Sequence, residues 1–323
     1  MPQSLLRLWK NARRLRLWLI AQLTFGLLSL ARLLPARTAI ELAAALGQAL
    51  GPLTSRHRIA LDNLRAAFPE KTEEEREEIA RRMWRNMFRL GAEYVYLEKL
   101  FDFDPDAAEP GLVEVEGEEI FRRLHAENAS CIFFTAHTGN FELLPVCAAT
   151  FGLNVTALFR PPNNPYIARK LLSARRTAMG HLVPSKAGAA WGLARMLDEG
   201  GSVGMLVDQK FIRGIAGTFF GRPVQTNPLL PKLARQFDRP VHPARCVRLP
   251  QGRFRLILEE AVELPRDDKG EIDVDATAQM LNDIVERWVR EYPDQWMWFH
   301  RRWEVRHPPR NTKKSAGTKP GAA

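Results

Sequence analysis

His137 and Glu142 are the pair in this sequence whose types and spacing suit proton transfer. They lie in "FFTAHTGNFELLP", residues 133 to 145, where an apolar run typical of a buried strand breaks into His137, Thr138, Gly139 and Asn140 and then resumes as a helical segment. On a continuous helix, at about 100° per residue, positions five apart point roughly 140° away from each other, so helical spacing does not pair them. A strand end followed by a turn does. With His137 last in the strand, Gly139 folding the chain back and Glu142 in the first helical turn, the carboxylate reaches one imidazole nitrogen and leaves the other facing a pocket. The helix N-terminus keeps that carboxylate ionised. Such a pair is a general base with an orienting partner, able to take a proton from a hydroxyl as it attacks a carbonyl.

Asp208 and Gln209 end a second apolar run and precede the Gly-rich stretch "IRGIAGTFFG", which is expected to form a lid or pocket wall. "QWMWFHRRW" joins Trp296, Trp298 and Trp303 to Arg301 and Arg302; it suits a lipid headgroup interface with phosphate binding, or a tryptophan-filled core. Gly200-Gly201-Ser202-Val203-Gly204 formally reads as a nucleophile elbow. An elbow needs a strand before the serine and a helix after it. Here the order is reversed, which removes the serine-hydrolase alternative. Cys131, Cys147 and Cys246 are widely spaced, with no CxxC, and suggest neither a disulfide framework nor a zinc site.

The elements that must hold these residues change character along the chain. The first hundred residues read as helix: an Ala/Leu-rich segment from Thr38 to Pro52, "HRIALDNLRAAFP" at 57 to 69, and a longer helix opened by the capping-box pattern Thr72-x-x-Glu75. Beyond the acidic loop "FDPDAAEPG" the strand candidates are "CIFFTAH", "NVTALFR", "HLVPS", "SVGMLVDQ", "PVHPARCVRL" and "RFRLILEEAVEL". Helix candidates at 141–150, 164–179 and 187–198 alternate with the first four, the pattern of a mostly parallel α/β sheet flanked by helices. Ligands in such sheets collect at the carboxyl ends of the strands, where His137 and Asp208 both fall. "ATAQMLNDIVERWVREYP" reads as a late amphipathic helix, and residues 307–323 as a disordered basic tail.

The 323-residue chain carries 47 Lys and Arg against 37 Asp and Glu, a net charge of +10 that favours an acidic partner such as nucleic acid, anionic lipid or an acidic protein. "LWLIAQLTFGLLSLA", residues 17 to 31, is uncharged and follows a cluster of arginines. As a helix it spans about 22 Å against a hydrocarbon core of about 30 Å. Residues 1–36 are therefore expected to anchor the chain at a membrane, either spanning it with the flanking arginines snorkelling or lying in one leaflet. No convincing cleavage site for a signal peptide follows.

"HTGNFE" is similar to the HX4(D/E) motif of glycerolipid-type acyltransferases, and in its fuller form resembles the H-x-G-N-W-E of the lipid A late acyltransferases, the lauroyl/myristoyl transferase type, of Gram-negative bacteria. Phe141 stands where that family usually has tryptophan. The resemblance extends to "RHRIALDNLRAAFPEKTEEEREEIARRMWRN", "LFRPPNNP", "VDQK" with "GTFFGRPVQTNP", and "YPDQWMWFHRRWEVR", in order over roughly residues 56 to 306.

It implies transfer of an acyl chain from acyl carrier protein to a hydroxyl of a phosphorylated lipid A precursor by direct attack on the thioester. His137 would be the base and Glu142 its partner. Arg160 would stabilise the oxyanion or hold a phosphate, and Asn140 and Asn164 could orient substrate or serve as turn residues. The implied organisation is a helical region over 37–105 packed on an α/β acyltransferase domain over 106–306, at the inner membrane with the catalytic domain on the cytoplasmic side. No cofactor, metal or nucleic acid is implied; the co-substrate is a thioester of acyl carrier protein or coenzyme A. Another lipid acceptor, such as a phosphatidylinositol mannoside or a lysophospholipid, remains the alternative within the class. A basic membrane-surface or nucleic-acid-binding protein is the alternative outside it. Thioester consumption dependent on His137 separates enzyme from binding module.

Overall fold

The computed structural model describes residues 3–104, 111–159, 164–169, 182–185 and 188–303. Its first part is helical: α1 (Gln3–Ala31), α2 (Ala36–Leu50), α3 (Ser55–Ala67), α4 (Glu73–Glu93) and the short α5 (Leu97–Leu100). The capping box at Thr72 forms as expected. The Thr72 amide donates to Glu75 Oε2 at 2.7 Å and the Glu75 amide donates to Thr72 Oγ1 at 3.2 Å, satisfying two amides that the first turn leaves over. α2 packs along α4, where Glu41 bridges Arg85 and Arg89. Among the described residues no helix is long and apolar enough to cross a membrane.

The sheet that follows is built from β1 (Val113–Glu116), β2 (Ile132–Thr135), β3 (Val155–Phe159), β4 (Leu182–Pro184), β5 (Ser202–Leu206), β8 (Val241–Arg248) and β9 (Phe254–Leu258). A separate antiparallel hairpin comprises β6 (Ile215–Phe219) and β7 (Arg222–Thr226). Among the described helices of this part are α6 (Glu118–Ala126), α7 (Leu143–Thr150), α8 (Ala189–Asp198), α9 (Leu229–Phe237) and α10 (Val274–Glu291). The sheet order is β1-β9-β8-β2-β5-β3-β4, parallel throughout except between β8 and β9. The α/β class and the mostly parallel sheet match the expectation.

Burial on both faces explains why the central strands read as continuous apolar runs. Ile132 and Phe134 of β2 enter one core with Leu64 and Met83 of the helical region and Trp288 of α10, while Phe133 points into a second core with Phe121, Leu143 and Leu256. The helical region thus shares its core with the sheet.

Two local expectations change. "IRGIAGTFFG" is not a Gly-rich lid: from Ile215 it is β6, laid on α10. Gly217 lies close against α10, and a Cβ there would come within 2.8 Å of Gln279 Oε1, the mobile end of a side chain that would have to shift. β1 was not anticipated at all. The helix expected at 164–179 is helical at 165–169, and its remainder lies outside the described residues, as do the boundary expected at 105/106 and the basic tail over 307–323.

Candidate active site

Sheet register brings the site together. Thr135 of β2 pairs with Leu206 of β5, so His137 and Asp208, each two residues beyond, emerge side by side at the carboxyl edge. Asp208 is only 4 % exposed. Its Oδ1 lies 2.8 Å from His137 Nδ1, while its Oδ2 accepts the His137 backbone amide at 2.9 Å and the Trp296 Nε1–H at 2.7 Å. Burial by itself would raise this carboxyl, but the imidazole's charge and these hydrogen bonds outweigh it and bring Asp208 down to about 2.

An ionised carboxylate can only accept, so the proton of a neutral imidazole sits on Nδ1 and Nε2 is left with its lone pair. Gln209 Nε2 stands 3.2 Å from that lone pair. The Phe141 ring packs edge-on against the imidazole at 5.1 Å, the place the sequence assigned to a bulky aromatic. His137, Asp208, Gln209, Lys210, Trp296, Met297, His300 and Arg302 line a small cleft at this edge. Two roomier surface hollows, around Arg235 and Arg239, lie by the amino end of β8, and Arg235 and Arg266 there are already paired with Glu271 and Asp238.

The turn that carries His137 is held from three sides. Gly139 has φ +57°, and a Cβ there would come within 2.2 Å of the Cys246 carbonyl, so the close approach and the left-handed backbone both demand glycine. The Gly139 amide donates to the Gln295 carbonyl at 3.2 Å. The Gln295 side chain accepts from the Arg248 amide at 2.7 Å and donates back to the Arg248 carbonyl at 3.0 Å. Arg248 and Glu93 form a buried two-pronged ion pair at 2.5 and 2.6 Å, and Asn140 Nδ2 donates to the same Glu93 carboxylate at 2.9 Å.

Several residues expected to touch substrate are used elsewhere. The carboxylate bonded to the imidazole is Asp208, where sequence reasoning put Glu142; Glu142 itself is buried at the entry to α7. Asn140 is fully buried on Glu93. Asn164 is buried too: its Nδ2 donates to the Leu17 carbonyl of α1 at 2.8 Å, and its Oδ1 accepts the Tyr166 amide at 3.0 Å. Arg302 is committed to the Gln225 carbonyl, Thr226 Oγ1 and Asn282 Oδ1 over the Phe219 ring, and burial brings its guanidinium down to about 10. Arg301 is exposed, and Arg160 lies outside the described residues.

The three C-terminal tryptophans are core rather than interface, with Trp298 Nε1 donating to the Pro293 carbonyl and Trp303 Nε1 to the Phe219 carbonyl. Ser202 is buried at the start of β5; its Oγ accepts the Cys131 amide and donates to the Ala129 carbonyl. Lys210 and His300 were not singled out as site residues, and Trp296 was read as headgroup interface or core rather than as a hydrogen-bond donor to Asp208. The signal for Lys210 was its place directly after a strand-end Asp-Gln pair. Among the described residues no group of three or more His, Cys, Asp or Glu is arranged to hold a metal ion.

The family profile for bacterial lipid A biosynthesis acyltransferases matches residues 8–305, nearly the whole chain and all of this site. The chain belongs to that family. It is similar to the lipid A biosynthesis lauroyltransferase of Escherichia coli (strain K12), 27 % identical over 305 residues that cover 90 % of this chain and 93 % of that one. It is also similar to the lipid A biosynthesis myristoyltransferase of the same organism, 27 % identical over 278 residues covering 82 % and 80 %. A lipid A biosynthesis acyltransferase of Haemophilus influenzae is 25 % identical over 287 residues, covering 85 % and 84 %. This lipid A acyltransferase family member is thus an acyl-transferring enzyme whose acceptor is a lipid A-type glycolipid.

Proposed function

We propose that this acyltransferase moves a fatty acyl chain from the thioester of acyl carrier protein to a hydroxyl of a phosphorylated lipid A precursor, by direct attack with His137 as general base. The observation that carries the reading is the Nδ1 bond to the ionised Asp208, which leaves Nε2 as the acceptor at the cleft. The acceptor hydroxyl gives its proton to Nε2 as its oxygen attacks the thioester carbonyl. The tetrahedral oxyanion then collapses, the C–S bond breaks, and the departing thiolate takes the proton from the imidazolium. Asp208 holds the ring in one tautomer and stabilises the imidazolium between these two steps.

Direct transfer is supported by the lack of an activated nucleophile among the described serines and cysteines near the base. Ser202 is locked by two hydrogen bonds, and burial pushes the Cys131 thiol up to about 11. Arg160 and the exposed Arg301 are the cations we assign to phosphate or to the developing oxyanion. No cofactor takes part, and coenzyme A thioesters are the alternative donor. We further assign the enzyme to the inner membrane, its catalytic domain on the cytoplasmic side, where its +10 charge faces two acidic partners, the carrier protein and the glycolipid.

The test is acyl transfer by the full chain from acyl carrier protein to a lipid A precursor, followed by mass spectrometry. His137→Ala should lower turnover by roughly 10²–10⁴-fold while the protein stays folded. Near-normal turnover, or an acyl group trapped on any side chain, would overturn the mechanism.

A further inference from the structure

Three neighbouring strands, β5, β3 and β4, deliver exposed apolar residues to one edge of the sheet. Five residues after β5 ends comes Phe211, 42 % exposed, followed by Ile212, 87 % exposed, at the tip of a turn. That turn is fixed at its base: the Phe211 amide donates to the Gln225 carbonyl and the Gly214 amide to the Phe211 carbonyl. Five residues after β3 ends, Asn164 grips the Leu17 carbonyl and so lays the middle of α1 across the same edge, with Leu19 and Leu23 exposed. After β4, Trp191 stands in the first turn of α8 with 83 % of its surface exposed.

Phe211 and Asn164 lie five residues past their strands, Ile212 six and Trp191 seven, a reach of at most about 25 Å, and adjacent strands lie about 4.8 Å apart, so all three elements stand at the carboxyl edge of the sheet. His137 and Asp208 border that face, since β2 is the next strand beyond β5. Arg13, Arg14 and Arg16 on α1 and Arg213 in the turn are exposed around it.

We propose that this edge, with Ile212 and Trp191 as inserting tips beside α1, is a bilayer-contacting surface that seats the cleft on an anionic lipid headgroup layer. The inference rests on the proposed acylation of a lipid-borne acceptor and extends it. Large apolar side chains exposed to water gain by entering the acyl boundary, and the exposed arginines on α1 and in the turn favour anionic lipid. The Ile212 turn is tied to Gln225 and the middle of α1 to Asn164, so both can meet one bilayer together and their contributions to binding multiply.

The experiment measures partition of the full chain onto vesicles of phosphatidylglycerol and phosphatidylcholine. Withdrawing an isoleucine from water is worth a factor of about ten or more, so Ile212→Ser and Trp191→Ser should each lower the partition coefficient by about tenfold. Both side chains are solvent-exposed, so neither change disturbs packing. A fluorophore on Ile212→Cys should become shielded from iodide when vesicles are added; the native Cys131, Cys147 and Cys246 are buried with raised thiols and stay unlabelled.

If partition drops for Leu23→Ser but not for Ile212→Ser or Trp191→Ser, the surface is confined to α1 and the inference is overturned. If the fluorophore is shielded by acyl carrier protein and not by vesicles, the edge is a protein-docking face and the inference is again overturned. Acyl transfer to a detergent-dispersed acceptor, measured in parallel on the unmodified chain, reports on the proposed reaction separately.

Discussion

Replacing Asp208 by asparagine changes one atom's worth of volume and should remove the base. The carboxylate accepts three hydrogen bonds, from the His137 amide, His137 Nδ1 and Trp296 Nε1. Asparagine has one oxygen. If that oxygen keeps the backbone amide and the indole, the amide nitrogen faces Nδ1, which must then accept. The proton moves to Nε2, and the lone pair that receives the acceptor's proton is gone. The corresponding loss where a carboxylate orients a catalytic histidine is about 10⁴-fold in turnover.

Stability should follow. Holding the carboxyl at about 2 instead of 3.8 corresponds to about 2 kcal/mol favouring the folded state. The sign is that of a depressed acid: the contribution is fully present above about pH 4 and is lost as pH falls from 4 towards 2. Asp208→Asn should therefore flatten the stability profile in that window as well as abolish turnover at neutral pH. Thermal unfolding across pH 2–6 and single-turnover acyl transfer are the assays. Turnover of folded Asp208→Asn within tenfold of the unmodified enzyme, together with a severe loss in Glu142→Gln, would refute the assignment of Asp208 and restore Glu142 as the orienting group.

Gly139→Ala should lower both stability and activity, because the left-handed backbone costs about 1–2 kcal/mol and the new Cβ meets the Cys246 carbonyl at 2.2 Å; denaturant midpoints and turnover check it. Glu93→Gln breaks the buried pair with Arg248 and should cost about 3–5 kcal/mol in chemical denaturation, whereas cutting the exposed Arg195–Glu199 pair the same way should leave the denaturation midpoint almost unmoved.

What could be read from the sequence, and what could not, divides along physical lines. The central strands were legible because a parallel strand buried on both faces, such as "CIFFTAH", is apolar throughout and bounded by breakers. β1 was not, since "VEVE" is four residues long and lies at the sheet edge, with Glu114 part-buried and Glu116 exposed. The β6–β7 hairpin was hidden because its glycines, Gly214, Gly217 and Gly221, made the stretch look like a loop.

At the site, His137 was legible from its place at a strand end. Its partner was not, because pairing with Asp208 depends on β5, rather than β3, being the neighbour of β2. Asn140, Asn164 and Arg302 show the same limit. A polar side chain that satisfies a buried carboxylate or carbonyl has the same letter as one that faces a ligand.

Trp296 has a consequence in time. The indole that completes the Asp208 shell lies 88 residues downstream of it, and Gln295 beside it clamps the Gly139 turn. A ribosome therefore exposes α1, then His137, and then Asp208, well before the residues that lock the catalytic pair. Until Gln295 and Trp296 are made, Asp208 lacks its indole donor and the Gly139 turn lacks its clamp, so the His137–Asp208 pair is the last part of the site to be fixed in place.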